Sequence, residues 1–537
     1  MSITSALQKA GLKAMTVETT INDHGIGSWP MRRARMTPNK IALVDEQESL
    51  TYVELAHRVD ALTMLFRSLG VGRGDRVAYL GFNDISTFEC LFASGRRGAI
   101  FVPLNTRLAA PEIGYMLRDS GARLLVYGPA FAELIEAIDP LSAGGAHAIS
   151  IEQLREMTDN LHEEIGSGRR NESTTVSLDD PAIILYTSGT TGRPKGAILT
   201  HGNVTWNTMN QLAHFDLAST DVSICAAPLF HVTGLGQVTM PMFFKGGTVV
   251  VVPQFDPGSF LALIRSSRVT SFAAVPTMLQ MLTEHEDWAT SDLSSLSFVI
   301  YGGSPISAHV AKAWLDRGIS IQQGYGLTEA SPGIFMAIQE GAQAHPVSCG
   351  VPHFFTDTAI EIENGVVLHG PGQGELLVRG PNVFDGYWDR PSDTAASMTD
   401  DGWFRTGDVL RVGEDGWAHV VDRVKDLIIS GGENIYPAEV EAVIVEIAGV
   451  RLAAVVGVDD DKWGEVGHAF VMTDPDSDVD SAAIRSHLEE RLARYKIPRY
   501  IELVRELPRN AAGKILRTPL RELARNTHSA NATKDNS

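Results

Sequence analysis

The run Leu185-Tyr186-Thr187-Ser188-Gly189-Thr190-Thr191-Gly192-Arg193-Pro194-Lys195-Gly196 constrains this chain more than any other stretch. It follows the apolar residues Ala182, Ile183 and Ile184, which read with Leu185 as a buried strand. Where a strand breaks into glycines, successive backbone N–H groups can face one concavity and come close to a ligand. Thr187, Ser188, Thr190 and Thr191 add hydroxyls, Gly189 and Gly192 supply the freedom, and Lys195 adds a positive charge. The pattern suits a polyphosphate. It departs from G-x-x-x-x-G-K-[ST], because Gly196 follows Lys195 and Pro194 opposes a helix beginning at the second glycine. The bland alternative is a polar surface turn.

Apolar runs at 76–80, 124–127 and 248–252 read as strands, and 52–69 and 260–268 have helical length. Such alternation predicts a mainly parallel sheet with helices on both faces. There is no internal repeat. The polar, glycine-broken stretch 142–180 reads as a surface connection. A boundary near 422–426 precedes a fresh pattern: helix 437–447, strands 451–458 and 469–473, helix 481–495, strand 500–504. That is a small α+β domain. The polar tail 526–537 is expected to be disordered.

At 537 residues the chain exceeds one ordinary core. A formal net charge of -20 argues against nucleic acid or an anionic membrane as partner, but local basic groups can still bind phosphate. The three cysteines, Cys90, Cys225 and Cys349, have no zinc-knuckle spacing and suit a reducing cytoplasm. The first fifteen residues allow a short amphipathic helix but lack the apolar core of a secretory signal. No run approaches the ~18 apolar residues of a spanning helix.

Further motifs follow in order. They are Tyr325-Gly326-Leu327-Thr328-Glu329, Trp403-Phe404-Arg405-Thr406-Gly407-Asp408, Asp422-Arg423-Val424-Lys425-Asp426-Leu427-Ile428, Ser430-Gly431-Gly432-Glu433-Asn434-Ile435-Tyr436-Pro437 and Pro508-Arg509-Asn510-Ala511-Ala512-Gly513-Lys514. Together with 186–196 they resemble the signatures of the adenylate-forming superfamily, and within it the acyl-CoA synthetases. The resemblance runs from about residue 30 to residue 520. It implies an α/β fold: a large multi-sheet N-terminal domain, 1–424, and a small mobile α+β C-terminal domain, 425–525.

It also implies a chemistry. Hydroxide is a poor leaving group, so a carboxylic acid is first joined to AMP, which brings two anions together and calls for cations and N–H donors in fixed positions. By resemblance, ATP, Mg2+ and CoA are the cofactors. Thr187 to Gly192 and Lys195 would hold the β- and γ-phosphates. Glu329 would bind Mg2+, beside Thr328. Tyr325 and Gly326 would face the adenine, with Gly302, Gly303 and Ser304 as the other wall. Asp408 would accept the ribose hydroxyls and Arg423 would contact the ribose. Lys514 would bridge the attacking carboxylate and the α-phosphate, and with Glu329 and Thr187 forms the catalytic set. Lys425 would be the hinge between two orientations of the small domain. In the second orientation Ser430, Gly431 and Gly432 line a passage for the CoA thiol. His231, Val232, Gly234 and Gly326 fall near the acid. For a lone histidine such as His231, a hydrogen-bonded structural role is the stronger reading.

The leading expectation is an acid:CoA ligase, with a homodimer compatible. Gly234, Gly236, Gly326 and Gly333 leave room for a pocket that Val232, Val275, Ile334 and Met336 would line. On that apolar lining a medium- or long-chain fatty acid is favoured over an aryl-propenoic acid. A fatty acyl-AMP ligase loading a carrier protein, an inactive nucleotide-binding regulator and a luciferase-like oxygenase are the other readings. Intact Glu329, Asp408, Arg423 and Lys514 oppose the inactive one.

Overall fold

The computed structural model describes residues 23–138, 144–165, 174–187, 194–303, 306, 308–338, 341, 345, 348–362, 365–423, 426, 428–430, 433–460, 463–492, 494–509 and 515–534. The chain forms two compact units, one of Met1–Asp357 with Val378–Phe404, the other of Thr358–Leu377 with Arg405–Ser537.

The first unit holds a nine-stranded and a seven-stranded sheet. In the nine-stranded sheet the strands Ile41–Val44, Thr248–Val251, Val222–Cys225, Ser271–Ala274, Phe298–Gly302 and Ile321–Gly326 run parallel in that spatial order. Antiparallel strands close both edges, Ser49–Thr51 at one and Gly333–Met336 with Val351–Pro352 at the other. In the seven-stranded sheet Pro181–Thr187, Ile100–Pro103, Arg76–Leu80, Leu124–Tyr127 and His147–Ser150 are parallel. The parallel expectation therefore holds for the sheet centres.

The helix Ile85–Arg97 is buried all round from Ile85 to Gly95, as a helix between apolar layers must be. Phe88 and Phe92 each meet Phe243 at 5.2 Å between ring centroids. The apolar cluster they join includes Leu43 and Val249 of one sheet and Val77 and Phe101 of the other. The helix Tyr52–Ser68 starts where Thr51 accepts from the Glu54 N–H and the Glu54 carboxylate accepts from the Thr51 N–H.

The stretch 142–180 is not only a connection. It contributes the edge strand His147–Ser150 and the helix Ile151–Ile165. Ser150 and Gln153 cap that helix reciprocally, and Ile151 and Leu154 are buried. The apolar stripe Ile151, Leu154, Leu161 is thin beside the acidic residues that dilute it.

The second unit contains a five-stranded sheet in the order Val367–Leu368, Asp357–Glu361, Gly372–Arg379, Phe404–Val412, Ala418–Arg423. It also contains a sheet built on the long antiparallel pair Val450–Asp460 and Gly464–Thr473. Tyr500–Leu503 adds in parallel, and Ile428–Ser430 pairs with Glu433–Ile435. Successive residues of Val450–Asp460 face two cores. Ala453 and Val455 pack with Val440, Ile444, Ile484 and Leu488, while Ala454 and Val456 pack with Phe470, Leu520 and Ala524. Helices on both faces explain why this strand is apolar without alternation.

The last helix runs Arg517–Lys534, so the segment expected to be disordered from Asn526 is helical through Lys534. Its first half is anchored by buried Leu520 and Ala524 and by Arg517 and Arg521, which bind Asp426 at 3.6 and 2.8 Å. Adding a residue to an existing helix is far easier than starting one. Residues 535–537 lie outside the described residues, as does the N-terminal stretch 1–22.

Candidate active site

The two described ends of the run 185–196 lie on a hairpin. Pro181–Thr187 pairs antiparallel with Lys195–Thr200, and Thr187 stands opposite Lys195. Ser188, Gly189, Thr190, Thr191 and Gly192 lie outside the described residues. The hairpin is fixed from beneath. The Tyr115 hydroxyl donates to the Pro194 carbonyl at 3.1 Å, and Tyr186 donates to Asp119 at 2.9 Å. Arg390 also binds Asp119, at 2.7 Å.

The two-residue strand Gly386–Tyr387 lies along the outer side of this hairpin, with Tyr387 opposite Ala197. Its position links two groups distant in sequence. The Tyr387 hydroxyl donates to Glu329 Oε1 at 2.8 Å, and its ring lies under the Lys195 ammonium at 5.4 Å. Lys195 Nζ is 3.0 Å from Asp393. Burial, then the Glu329 charge, raises the Tyr387 phenol pKa, so the phenol stays a donor. Glu329 is on the short turn Thr328–Ala330, and its carbonyl accepts from Phe384 N–H at 2.8 Å. Asn382 braces the turn by donating to the carbonyls of Ala330 and Gly333 at 3.0 and 2.8 Å. The structure thus brings Thr187, Lys195, Thr328 and Glu329 to one place.

Among the described residues no group of three or more His, Cys, Asp or Glu could hold a metal ion. A single carboxylate fits Mg2+, which keeps waters and binds substrate phosphates rather than an all-protein cage.

Gly302 and Gly303 end one parallel strand, and Tyr325 and Gly326 end the next. Gly302 stands opposite Gly324, so Gly303 falls beside Tyr325. Ligands of α/β proteins bind at such carboxyl ends. Gly303 has φ +90°, and a Cβ there would meet nothing within 4 Å. Ser304 lies outside the described residues.

The acid-side glycines do not leave open space. A Cβ on Gly234 would lie 2.4 Å from the Pro228 carbonyl oxygen, one on Gly236 2.5 Å from Pro332 Cδ, and one on Gly326 1.7 Å from the Pro332 oxygen. A Cβ on Gly333 would lie 2.6 Å from His353 Nε2. These positions are glycine because segments press together there. Of the residues expected to line the pocket, Val232, Ile334 and Met336 are buried and Val275 is half-buried. His231 precedes the short helix Val232–Gly236, its ring tilted against Phe230 at 4.8 Å between centroids, and burial lowers its pKa to about 4. Its imidazole is neutral at neutral pH and is no proton store.

The same wall carries polar groups that motif reading missed. Gln237 is 5% exposed and its Oε1 has no hydrogen-bond partner among the described residues. Nearby, Tyr301 donates to Gln323 at 3.2 Å. A buried unpaired amide oxygen costs about 1–3 kcal/mol. The one sequence signal for Gln237 is that it is a lone amide between Leu235 and Met240. Tyr387 and Asp393 carried no motif.

In the second unit Asp408 is buried and stands directly opposite Arg423 across an antiparallel pair, so two residues from separate motifs share one rung. The preceding Gly407 has φ +70° and donates its N–H to Glu375 at 3.1 Å. The Arg423 side chain, Lys425, Gly431, Gly432 and Lys514 lie outside the described residues. Both flanks of Lys425 are fastened within this unit. Asp422 accepts from Ala438 N–H at 2.8 Å, and Asp426 holds Arg517 and Arg521. Ser430 is buried and pairs with Glu433 and Gly464. All three cysteines are free and buried, and burial raises the pKa of each thiol.

A cation and a carboxylate beside a hairpin, with two glycine-ended parallel strands in the same unit, give a site suited to an anionic ligand. The chain belongs to the AMP-binding enzyme family, whose model matches residues 31–388 and whose C-terminal domain matches residues 439–514. It is 46% identical to a feruloyl-CoA synthase of Amycolatopsis sp over 93% of this chain and 99% of that protein. It is 36% identical to the long-chain-fatty-acid–CoA ligase FadD13 of Mycobacterium tuberculosis, over 92% and 97%. Among solved structures it resembles the o-succinylbenzoate coenzyme A synthetase MenE of Bacillus subtilis, in complex with ATP and magnesium ion. That match has a TM-score of 0.81 and 33% identity, over 91% of this chain and 98% of that one. The protein is therefore an AMP-forming, ATP-dependent acid:CoA ligase of the adenylate-forming superfamily. Enzymes of this family use ATP, Mg2+ and CoA. Among the described residues no helix is long and apolar enough to cross a membrane.

Proposed function

We propose that the acid is an aryl-propenoic acid of the ferulate type. The observation that carries this is the identity to a feruloyl-CoA synthase, 46% along 93% of the chain, against 36% to FadD13. A medium- or long-chain fatty acid is the second reading, favoured by buried Val232, Ile334 and Met336.

In the first half-reaction a carboxylate oxygen bonds to the α-phosphorus of ATP and the bond to pyrophosphate breaks. Thr187, Lys195 and the hydroxyls and N–H groups of 188–192 hold the β- and γ-phosphates and stabilise the departing pyrophosphate. Glu329, which accepts a hydrogen bond from Tyr387, would hold Mg2+, and the bound ion would neutralise phosphate charge. Tyr325, Gly326, Gly302, Gly303 and Ser304 flank the adenine, and Asp408 and Arg423 bind the ribose. Lys514 offsets the repulsion between carboxylate and α-phosphate. In the second half-reaction the CoA sulfur bonds to the acyl carbon and AMP leaves with the electron pair of the broken C–O bond. Ser430, Gly431 and Gly432 line the approach of the thiol, and Lys425 is the hinge at the boundary between 1–424 and the small domain. His231 positions the acid as a neutral hydrogen-bonding group. The site of action is the cytoplasm.

AMP release measured with ATP, CoA and a panel of acids tests the reading. Cinnamic-type acids are expected to exceed octanoate and palmitate in kcat/KM. The reverse order returns the fatty acid to first place.

A further inference from the structure

We propose that Gln237 is the specificity-determining side chain that selects acids bearing a ring oxygen, a phenolic hydroxyl or an aryl methoxy group. The inference rests on the aryl-acid reading above and deepens it.

The position of Gln237 is the first argument. Gln237 Nε2 lies 3.2 Å from the points where a Cβ would stand on both Gly302 and Gly324. These glycines immediately precede Gly303 on one strand and Tyr325 on the other, the two residues assigned to the nucleotide. The amide is therefore one residue from the adenine wall, against the ends of the same strands. It also follows the short helix that His231 begins.

Its surroundings are the second argument. The side chain is 5% exposed and Oε1 has no hydrogen-bond partner among the described residues. Met336 Cε lies 3.3 Å from the same point above Gly324, and Leu235, Val238 and Ile300 are buried alongside. Nearby Tyr301 and Gln323 are hydrogen-bonded to each other, whereas the Gln237 oxygen has no such partner among the described residues. Any side chain at Gly302 or Gly324 would crowd it. An alkyl chain would leave the oxygen unpaired, whereas a phenolic O–H would satisfy it. A half-turn of the amide offers N–H donors to a methoxy oxygen instead. Sites that hydrogen-bond a substrate hydroxyl reject the analogue lacking it far more strongly than apolar pockets distinguish methylenes.

The test uses the full chain and four acids: 4-hydroxycinnamate, 4-hydroxy-3-methoxycinnamate, unsubstituted cinnamate and octanoate. The unaltered protein is expected to prefer the oxygenated rings over cinnamate by about a hundredfold or more in kcat/KM. Gln237→Met, which keeps length and volume, is expected to erase that preference by lowering the oxygenated acids alone, with cinnamate and the KM for ATP unchanged. Gln237→Leu is the second variant. A preference below twofold in the unaltered protein overturns the proposal without any mutant. So does a Gln237→Met protein that keeps the preference, or that loses both classes by one factor, as a packing residue would. If octanoate is used and no cinnamate is, the aryl-acid reading itself has failed. If the cinnamates are used without regard to Gln237, only this inference has.

Discussion

The phosphate hairpin and the acid-side wall lie in one unit and are built in opposite ways. At the hairpin every charged group named is already paired: Lys195 with Asp393, Glu329 with Tyr387, Asp119 with Tyr186 and Arg390. At the acid side glycines are pressed against backbone, His231 is kept neutral, and the Gln237 oxygen has no partner. A preorganised electrostatic site needs no rearrangement to stabilise developing charge, and it suits a step common to all substrates. A wall that withholds one hydrogen bond is completed by the right ligand and penalises the wrong one. Nucleotide chemistry and substrate choice are thus separable here, and substitutions should separate them.

The largest effect is expected from Lys514→Ala. Adenylation should fall by ~10²–10³ for every acid, since the role proposed for Lys514 concerns the carboxylate and the α-phosphate rather than the acid's tail. Given synthetic acyl-adenylate and CoA, the variant should form thioester at nearly the normal rate. Equal loss in both half-reactions would contradict the assignment of Lys514 to adenylation alone.

Next comes the carboxylate on the turn beside the hairpin. Glu329→Gln should raise the Mg2+ concentration needed for half-maximal rate and slow adenylation. Tyr387→Phe should shift the Mg2+ requirement the same way by less, a few-fold, because one hydrogen bond to a charged group is lost. Magnesium titrations at saturating ATP read both. The shifts should be the same for 4-hydroxycinnamate and cinnamate, and an acid-dependent shift would dissolve the separation.

Asp408→Asn is expected to weaken ATP binding by ~1.5–3 kcal/mol, the worth of a hydrogen bond to a charged group. The KM for ATP reports it. Unchanged ATP affinity would make Asp408 a turn residue after Gly407 and send the search for the ribose contact elsewhere.

The first strand of the hairpin was legible as the apolar run 182–185, whereas its antiparallel partner Lys195–Thr200 was not, because glycines and a proline precede it. Asp408 and Arg423 were legible separately, but not the rung that pairs them, which depends on register. Tyr387 and Asp393 were illegible. Their roles arise from a two-residue edge strand that no periodicity can announce. The acid side was misread in its glycines. The same residue type that frees a loop elsewhere here marks backbone pressed on backbone, as at Gly326 against Pro332. The helix Ile151–Ile165 was hidden by its acidic residues, although Ser150 and Gln153 form a capping pair visible in hindsight.

A further effect, on stability rather than on rate, lies outside both regions and sets their common background. His201 is fully buried, and its Nδ1 accepts from Ile26 N–H at 3.1 Å. Burial lowers its pKa to about 4 from 6.5. Between those values the unfolded chain binds more protons than the folded one, so stability falls as the pH drops from 6.5 towards 4. The loss is on the order of 3 kcal/mol for this group. Melting temperatures measured across that range should fall less steeply for His201→Gln than for the unaltered protein. Identical slopes would mean that His201 is not the titrating group.

The separation of the two regions is tested most directly by a crystal structure with a non-hydrolysable acyl-adenylate analogue of 4-hydroxy-3-methoxycinnamate. The account predicts a ring oxygen within about 3 Å of the Gln237 amide, with the adenine beside Gly303 and Tyr325. A ring oxygen bound elsewhere, with the Gln237 amide turned to a protein partner, would contradict it.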